Sequence, residues 1–173
     1  MTVDSLKAAL LVFVAALAQV SILDGYAPLG GTADLVLVVL LSLALLRGSL
    51  FGAVAGFGAG LLIDTANLDT LGFTSLLLTL AGYWIGRYGE TTARDRIHAP
   101  FVSVGVVTIL YAFGTLALRF VLGDSAPAGE LLSALPASLL LNLILTLPVY
   151  ALVRRLFPPL ELADRVHEVR LLG

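Results

Sequence analysis

Four glycines stand four residues apart in one apolar stretch, at Gly48, Gly52, Gly56 and Gly60, and the next step of four lands on Asp64. Residues i and i+4 share a helix face, so a helix here carries a strip of bare backbone that ends in a carboxylate. Each glycine costs about 0.8–1.0 kcal/mol against alanine in a helix interior, and the four together about 3–4 kcal/mol. In a bilayer a second helix lying against the strip offsets that cost, because small residues let two backbones approach closely. The chain therefore reads first as one that packs helices, not as one that does bond chemistry.

The rest of the sequence belongs in a bilayer too. Hydrophobic residues make up 59% of the 173 and charged residues 13%, and mean hydropathy is +1.02. Soluble domains average about 45–50% and about 25%. A net charge of −2 argues against a nucleic-acid binder. The absence of cysteine excludes disulfides, thiolate metal sites and cysteine nucleophiles.

A spanning helix needs about 20 apolar residues. Six segments qualify or nearly so: 6–23, 34–46, 48–63, 71–86, 100–122 and 132–157. The expected fold class is all-α, a polytopic integral membrane protein of about six transmembrane helices. One transmembrane domain covers 1–159, followed by a cytoplasmic tail, 160–173. The second and third segments are short and joined only by Arg47-Gly48-Ser49. Two full spans are expected there; the alternatives are a second span that begins near Leu29 and a re-entrant hairpin. Lys7 followed by an apolar run, with Ala16-Leu17-Ala18, imitates a signal peptide, but five more apolar segments follow and an uncleaved first span is expected.

With the N-terminus inside, Lys7, Arg47, Arg87, Arg94, Arg96, Arg154, Arg155, Arg165 and Arg170 all fall on one side; of the ten basic residues only Arg119 does not. This positive-inside bias places both termini in the cytoplasm. Asp24, Asp34, Asp64, Asp69, Asp124 and Glu130 fall on the outer side. The tail spaces Leu160, Ala163, Val166, Val169 and Leu171 as in a helix; a short helix on the cytoplasmic membrane surface is expected, with a frayed tail as the alternative. Pro158-Pro159 ends the sixth span.

Asp34 reads as the N-cap of the second span. Asp64 reads as an interfacial loop residue or, because ionisable groups at membrane depth usually mark function, as a conformational or partner contact. Arg47 reads as a positive-inside anchor at the tight turn. Tyr83, Trp84 and Arg87 read as interface anchors. Gly82 and Gly86 repeat the four-residue step of the third span, so the third and fourth helices are expected to pack together. An intermolecular contact is the alternative for the ladder. Asn142 is placed to hydrogen-bond across helices, Pro148 to kink the sixth span, and Arg119 to pair with Asp124. Catalysis finds little support: His98 and His167 lie in polar segments, and neither HExxH, a Walker loop nor a metal-ligand cluster is present. No catalytic, cofactor or metal residue is expected.

The order of motifs in 34–87, DLVLVVLLSLALLRGSLFGAVAGFGAGLLIDTANLDTLGFTSLLLTLAGYWIGR, resembles the MreD family of rod shape-determining proteins. The resemblance rests on Asp34-Leu35, Leu46-Arg47-Gly48, Gly60-Leu61-Leu62-Ile63-Asp64, Leu71-Gly72 and Gly82-Tyr83-Trp84-Ile85-Gly86-Arg87, with Ala33 where the family often has proline. It covers about a third of the chain strongly; length and span count extend it over the rest. It implies a non-enzymatic scaffold in the bacterial cytoplasmic membrane that serves wall elongation and cell shape. The implied partners are an MreC-like bitopic protein, a wall-synthesis transpeptidase, a RodA-type polymerase and, on the cytoplasmic side, the MreB filament. It also implies a fold similar to the substrate-binding subunits of energy-coupling-factor transporters. The residues expected to carry packing and partner contacts are Gly48, Gly52, Gly56 and Gly60, then Asp34, Asp64, Arg47, Gly82, Gly86 and Arg87. The alternative function is a substrate-binding subunit of a vitamin-type transporter, which requires a pocket with convergent polar groups near one membrane face; Gln19, Asp64, Tyr111 and Asn142 are its scattered candidates.

Overall fold

The computed structural model describes residues 2–23, 30–68, 70–93, 98–123 and 128–157. Expectations for Asp24, Asp69, Arg94, Arg96, Asp124, Pro158-Pro159 and the tail with Arg165, His167 and Arg170 lie outside these residues. The described residues form six α-helices and no strand: α1 (Thr2–Ala18), α2 (Leu35–Arg47), α3 (Ser49–Asn67), α4 (Phe73–Tyr88), α5 (Ala99–Leu122) and α6 (Ala128–Leu156). Single π-helical turns, Gln19–Leu23 and Gly89–Ala93, extend α1 and α4. The helices run up and down. Asp4, Arg47, Glu90 and Phe157 meet at one end, here called the Arg47 end. Gln19 meets the start of α2 and Asp64 the start of α4 at the other, the Asp64 end.

Among the described residues, four segments are long and apolar enough to cross a bilayer: Asp4–Ile22, Ser49–Asn67, Ala99–Val121 and Ala128–Leu156. Helices α2 and α4 have 13 and 16 residues, hence about 20 and 24 Å at 1.5 Å per residue, against a hydrocarbon core about 30 Å thick. For α2 the reason is its position. Every residue from Val36 to Leu46 is buried, and the helix touches α1, α3, α4, α5 and α6. A helix that is hydrophobic all round is a buried one. Protein rather than lipid covers it, so its length need not match the bilayer. Its one interior hydroxyl, Ser42 Oγ, donates to Val38 O at 2.8 Å and is satisfied within the helix.

The surface is the inverse of a soluble protein's. Leu10, Val54, Leu110 and Ile144 all point outward and are at least half exposed. That face suits lipid, where apolar exposure carries no penalty. Helix α6 continues from Ala128 to Leu156 with Pro136 and Pro148 inside it.

Candidate functional site

The glycine ladder faces α4. A methyl group added to Gly52 would run into the carbonyl oxygen of Gly82, one on Gly56 into that of Leu78, and one on Gly60 into the backbone of Ser75. From the other side, Gly82 and Gly86 lie against the backbones of Gly52 and Gly48. Alanine fits nowhere along this seam. Gly48 is fixed twice over. Its φ of 94° suits glycine, and a side chain there would collide with the Glu90 carboxylate.

Asp64 closes the far end of the seam. Its carboxylate accepts from Gly72 N at 2.8 Å and Thr74 N at 3.1 Å, and the residue is fully buried. This corrects the reading of Asp64 as an interfacial loop residue. Helix α3 runs past Asp64 to Asn67, and the carboxylate turns inward to satisfy the free N–H groups that every helix N-terminus presents. Nearby, Ser75 Oγ donates to Phe57 O at 2.7 Å.

At the Arg47 end, Glu90 does for α3 what Asp64 does for α4. Its Oε1 accepts from Ser49 N at 2.7 Å and Ser49 Oγ at 2.9 Å. Those two bonds, and then the Arg87 guanidinium 3.3 Å from Oε2, hold the Glu90 carboxyl below the usual carboxylate range. Arg87 itself is mostly exposed, with its head on Glu90. Arg47 is more than an anchor in water. Its side chain is about one-tenth exposed, 3.0 Å from the Asp4 carboxylate, with its guanidinium 5.3 Å from the Phe157 ring centre. It ties α1, the α2–α3 turn and the end of α6 together. Tyr83 and Trp84 stack edge to face at 5.6 Å, with Trp84 well exposed on the outside of α4.

A polar network joins α2, α5 and α6 near the Asp64 end. Asp34 caps α2 by accepting from Leu37 N at 3.0 Å. Asp34 N donates to Asn142 Oδ1 at 2.7 Å, and Asn142 Nδ2 donates to Thr108 Oγ1 at 3.1 Å. Asn142 does bond across helices. Gln19 Oε1 accepts from Val36 N at 2.9 Å, and Ser138 Oγ from Thr32 N at 3.1 Å. Asp4, Glu90, Thr108, Ser138 and Phe157 escaped the sequence reading. Thr108 and Ser138, each polar inside an apolar run, carried a signal.

Among the described residues, a groove and a cavity lie beside this frame. A groove of about 840 Å³ runs between α1 and α3 from the Asp4–Arg47 pair past Ala8, Val12, Val54, Ala55 and Gly58 to Leu62. A more polar cavity of about 570 Å³ at the Asp64 end is walled by α5 and α6 and reaches Asp34, Thr74 and Asn142. Of the transporter-type candidates, Tyr111 and Asn142 line this cavity; Gln19 and Asp64 are spent capping helices.

A bundle with an apolar outer surface, a fully buried central helix and a seam of backbone against backbone belongs to the class of integral membrane proteins built on helix packing. Over residues 4–157 the sequence matches the family model of the rod shape-determining protein MreD, and the chain belongs to that family. It is a family of structural, cell-shape-determining membrane proteins of the rod complex. No curated protein and no solved structure matches the chain.

Proposed function

We propose that this chain is a non-enzymatic scaffold of the bacterial wall-elongation complex, and that it holds the single transmembrane helix of an MreC-like bitopic protein in the groove between α1 and α3. In this reading it crosses the cytoplasmic membrane six times with both termini inside, in a fold similar to energy-coupling-factor substrate-binding subunits. It meets the wall-synthesis transpeptidase and the RodA-type polymerase directly or through that partner. The Arg47 end faces the MreB filament. Gly48, Gly52, Gly56, Gly60, Gly82 and Gly86 serve as internal packing, and Asp34, Asp64, Arg47 and Arg87 fix the helix ends that set the shape of the outer surface.

One observation carries the reading. The ladder glycines are used up against α4, whereas Gly58, on the other side of the same helix, has nothing within 4 Å of where a Cβ would stand. Gly58 lies in a groove with Ala8, Ala9, Ala55 and Ala59. Small residues that line an open groove of this kind let a further helix approach closely. Gly58→Leu should fill the groove without disturbing the seam. At equal amounts of folded chain, it is expected to lower recovery of the MreC-like protein about tenfold in detergent pull-downs. Leucine at Gly129, which also has open space around it, should leave recovery unchanged. Equal recovery from both variants would remove the groove as the partner site.

A further inference from the structure

The cavity between α5 and α6 plays no part in the partner reading, and its chemistry differs from that of the groove. Thr108 and Arg119 both line its α5 wall, eleven residues and so about 16 Å apart along the helix. That is roughly half the hydrocarbon thickness, so the cavity is a slot that runs from one membrane face toward the middle. Arg119 and Glu130 stand at its mouth, the first in the last turn of α5 and the second in the first turn of α6. Among the described residues no ion pair involves either of them. A cation and an anion that share a mouth without closing on each other leave one place for an acidic group and another for an ammonium.

The deeper polar groups are already satisfied. Asn142 and Thr108 bond each other, and Asp34 accepts from Leu37 N. The unmet hydrogen bond lies higher, one turn below Arg119. Thr115, which also lines the cavity, keeps its hydroxyl oxygen buried with no partner, although buried polar groups are nearly always bonded. Rotation about χ1 exchanges its hydroxyl and methyl positions and brings the hydroxyl to a ligand in the slot.

We propose that this slot is a binding site for a zwitterion that carries a primary ammonium and a phosphate or carboxylate, with the acidic group on Arg119 and Thr115 and the ammonium on Glu130. Two sources share that chemistry: the headgroup of an ethanolamine phospholipid in the adjoining leaflet, and a free solute. The competing account is that Arg119 only pairs with Asp124.

The test uses the full chain in detergent and native mass spectrometry with phosphatidylethanolamine, phosphatidylglycerol and soluble glycerophosphoethanolamine. Phosphatidylethanolamine is expected to be retained about tenfold more than phosphatidylglycerol, the loss of one charge-assisted contact being worth about that factor. Glu130→Gln should abolish the preference, and Arg119→Gln, which removes the partner of the phosphate that both lipids carry, should lower retention of both. Ala134→Leu, which narrows the slot and leaves both charges, should reduce retention. Glu130 is exposed, so its variant keeps the test alive if the Arg119 variant does not fold. Ethanolamine lipid retained in the presence of the soluble headgroup assigns the site to a lipid. Glycerophosphoethanolamine binding that is lost in Glu130→Gln assigns it to a free solute. No preference between the lipids together with no binding of the soluble headgroup would overturn the proposal, and so would charge variants that bind like the parent.

Discussion

Helices α3 and α4 pack through their backbones; α5 and α6 pack through side chains with a cavity between them. Both are neighbouring pairs joined by short connections, and both contain glycine. In the first pair Gly52, Gly56, Gly60, Gly82 and Gly86 leave no room for a methyl group. In the second, Gly105 sees only the tips of Leu139 and Leu143 at 3.9–4.0 Å, an ordinary contact. Glycine content alone therefore does not make a seam. What makes one is a four-residue step on both helices, which keeps the glycines in register over three turns. The close pair is then fixed at each end by a carboxylate, Glu90 at Ser49 and Asp64 at Gly72 and Thr74. The side-chain pair keeps a cavity with threonines and opposite charges in its walls.

The sharpest way to break this contrast is to add one methyl group on each side of it. Gly60→Ala should cost about 1–3 kcal/mol or more as overpacking against rigid backbone, read as a lower midpoint in thermal unfolding in detergent. Asp64→Ala should come next, at about 2 kcal/mol, because it leaves the buried Thr74 N–H and the part-buried Gly72 N–H without acceptors. Asp64→Asn keeps one acceptor oxygen and should recover about half of that loss. In the other half, Asn142→Leu should cost about 1–2 kcal/mol and free Thr108 and Asp34 N, with the seam unchanged.

Smaller effects sharpen the same picture. The carboxyl of Glu90 is held below its ordinary range in the folded chain. Its contribution is therefore complete above the unfolded carboxylate pKa and fades as pH falls through the lower, folded value. The unfolding midpoint should drop over that acid window, and Glu90→Gln should flatten the drop; an unchanged acid limb would show that Glu90 does not hold the turn. The smallest change is expected at Gly105→Ala. The helix gains up to about 1 kcal/mol with no new clash, so the midpoint should stay or rise slightly.

Much of this was legible in the sequence because membrane helices announce themselves by apolar length, and because a step of four glycines can only mean one face. The matching step at Gly82 and Gly86 pointed to α4 as the neighbour. The place of α2 was hidden. Its run from Val36 to Leu46 reads as a short span, and only the surrounding helices show it to be the central one. The ends were hidden for another reason. Arg47 meets Asp4, and Ser49 meets Glu90 from 41 residues away, contacts that no local pattern encodes. Asp64 was visible as polar at the end of an apolar face, but its inward turn depends on α3 continuing to Asn67. The cavity could not be read at all, since its walls come from α5 and α6 together with the starts of α2 and α4, which no local pattern brings together.

Gly56 and Gly58 stand two residues apart on one helix and face opposite ways, one into the seam and one into the open groove. Thermal unfolding of Gly56→Ala and Gly58→Ala, purified side by side in the same detergent, puts the account to its most direct test. Gly56→Ala should melt well below the parent chain, and Gly58→Ala at or slightly above it. Equal losses at the two positions, or a larger loss at Gly58, would contradict a glycine seam closed on α4.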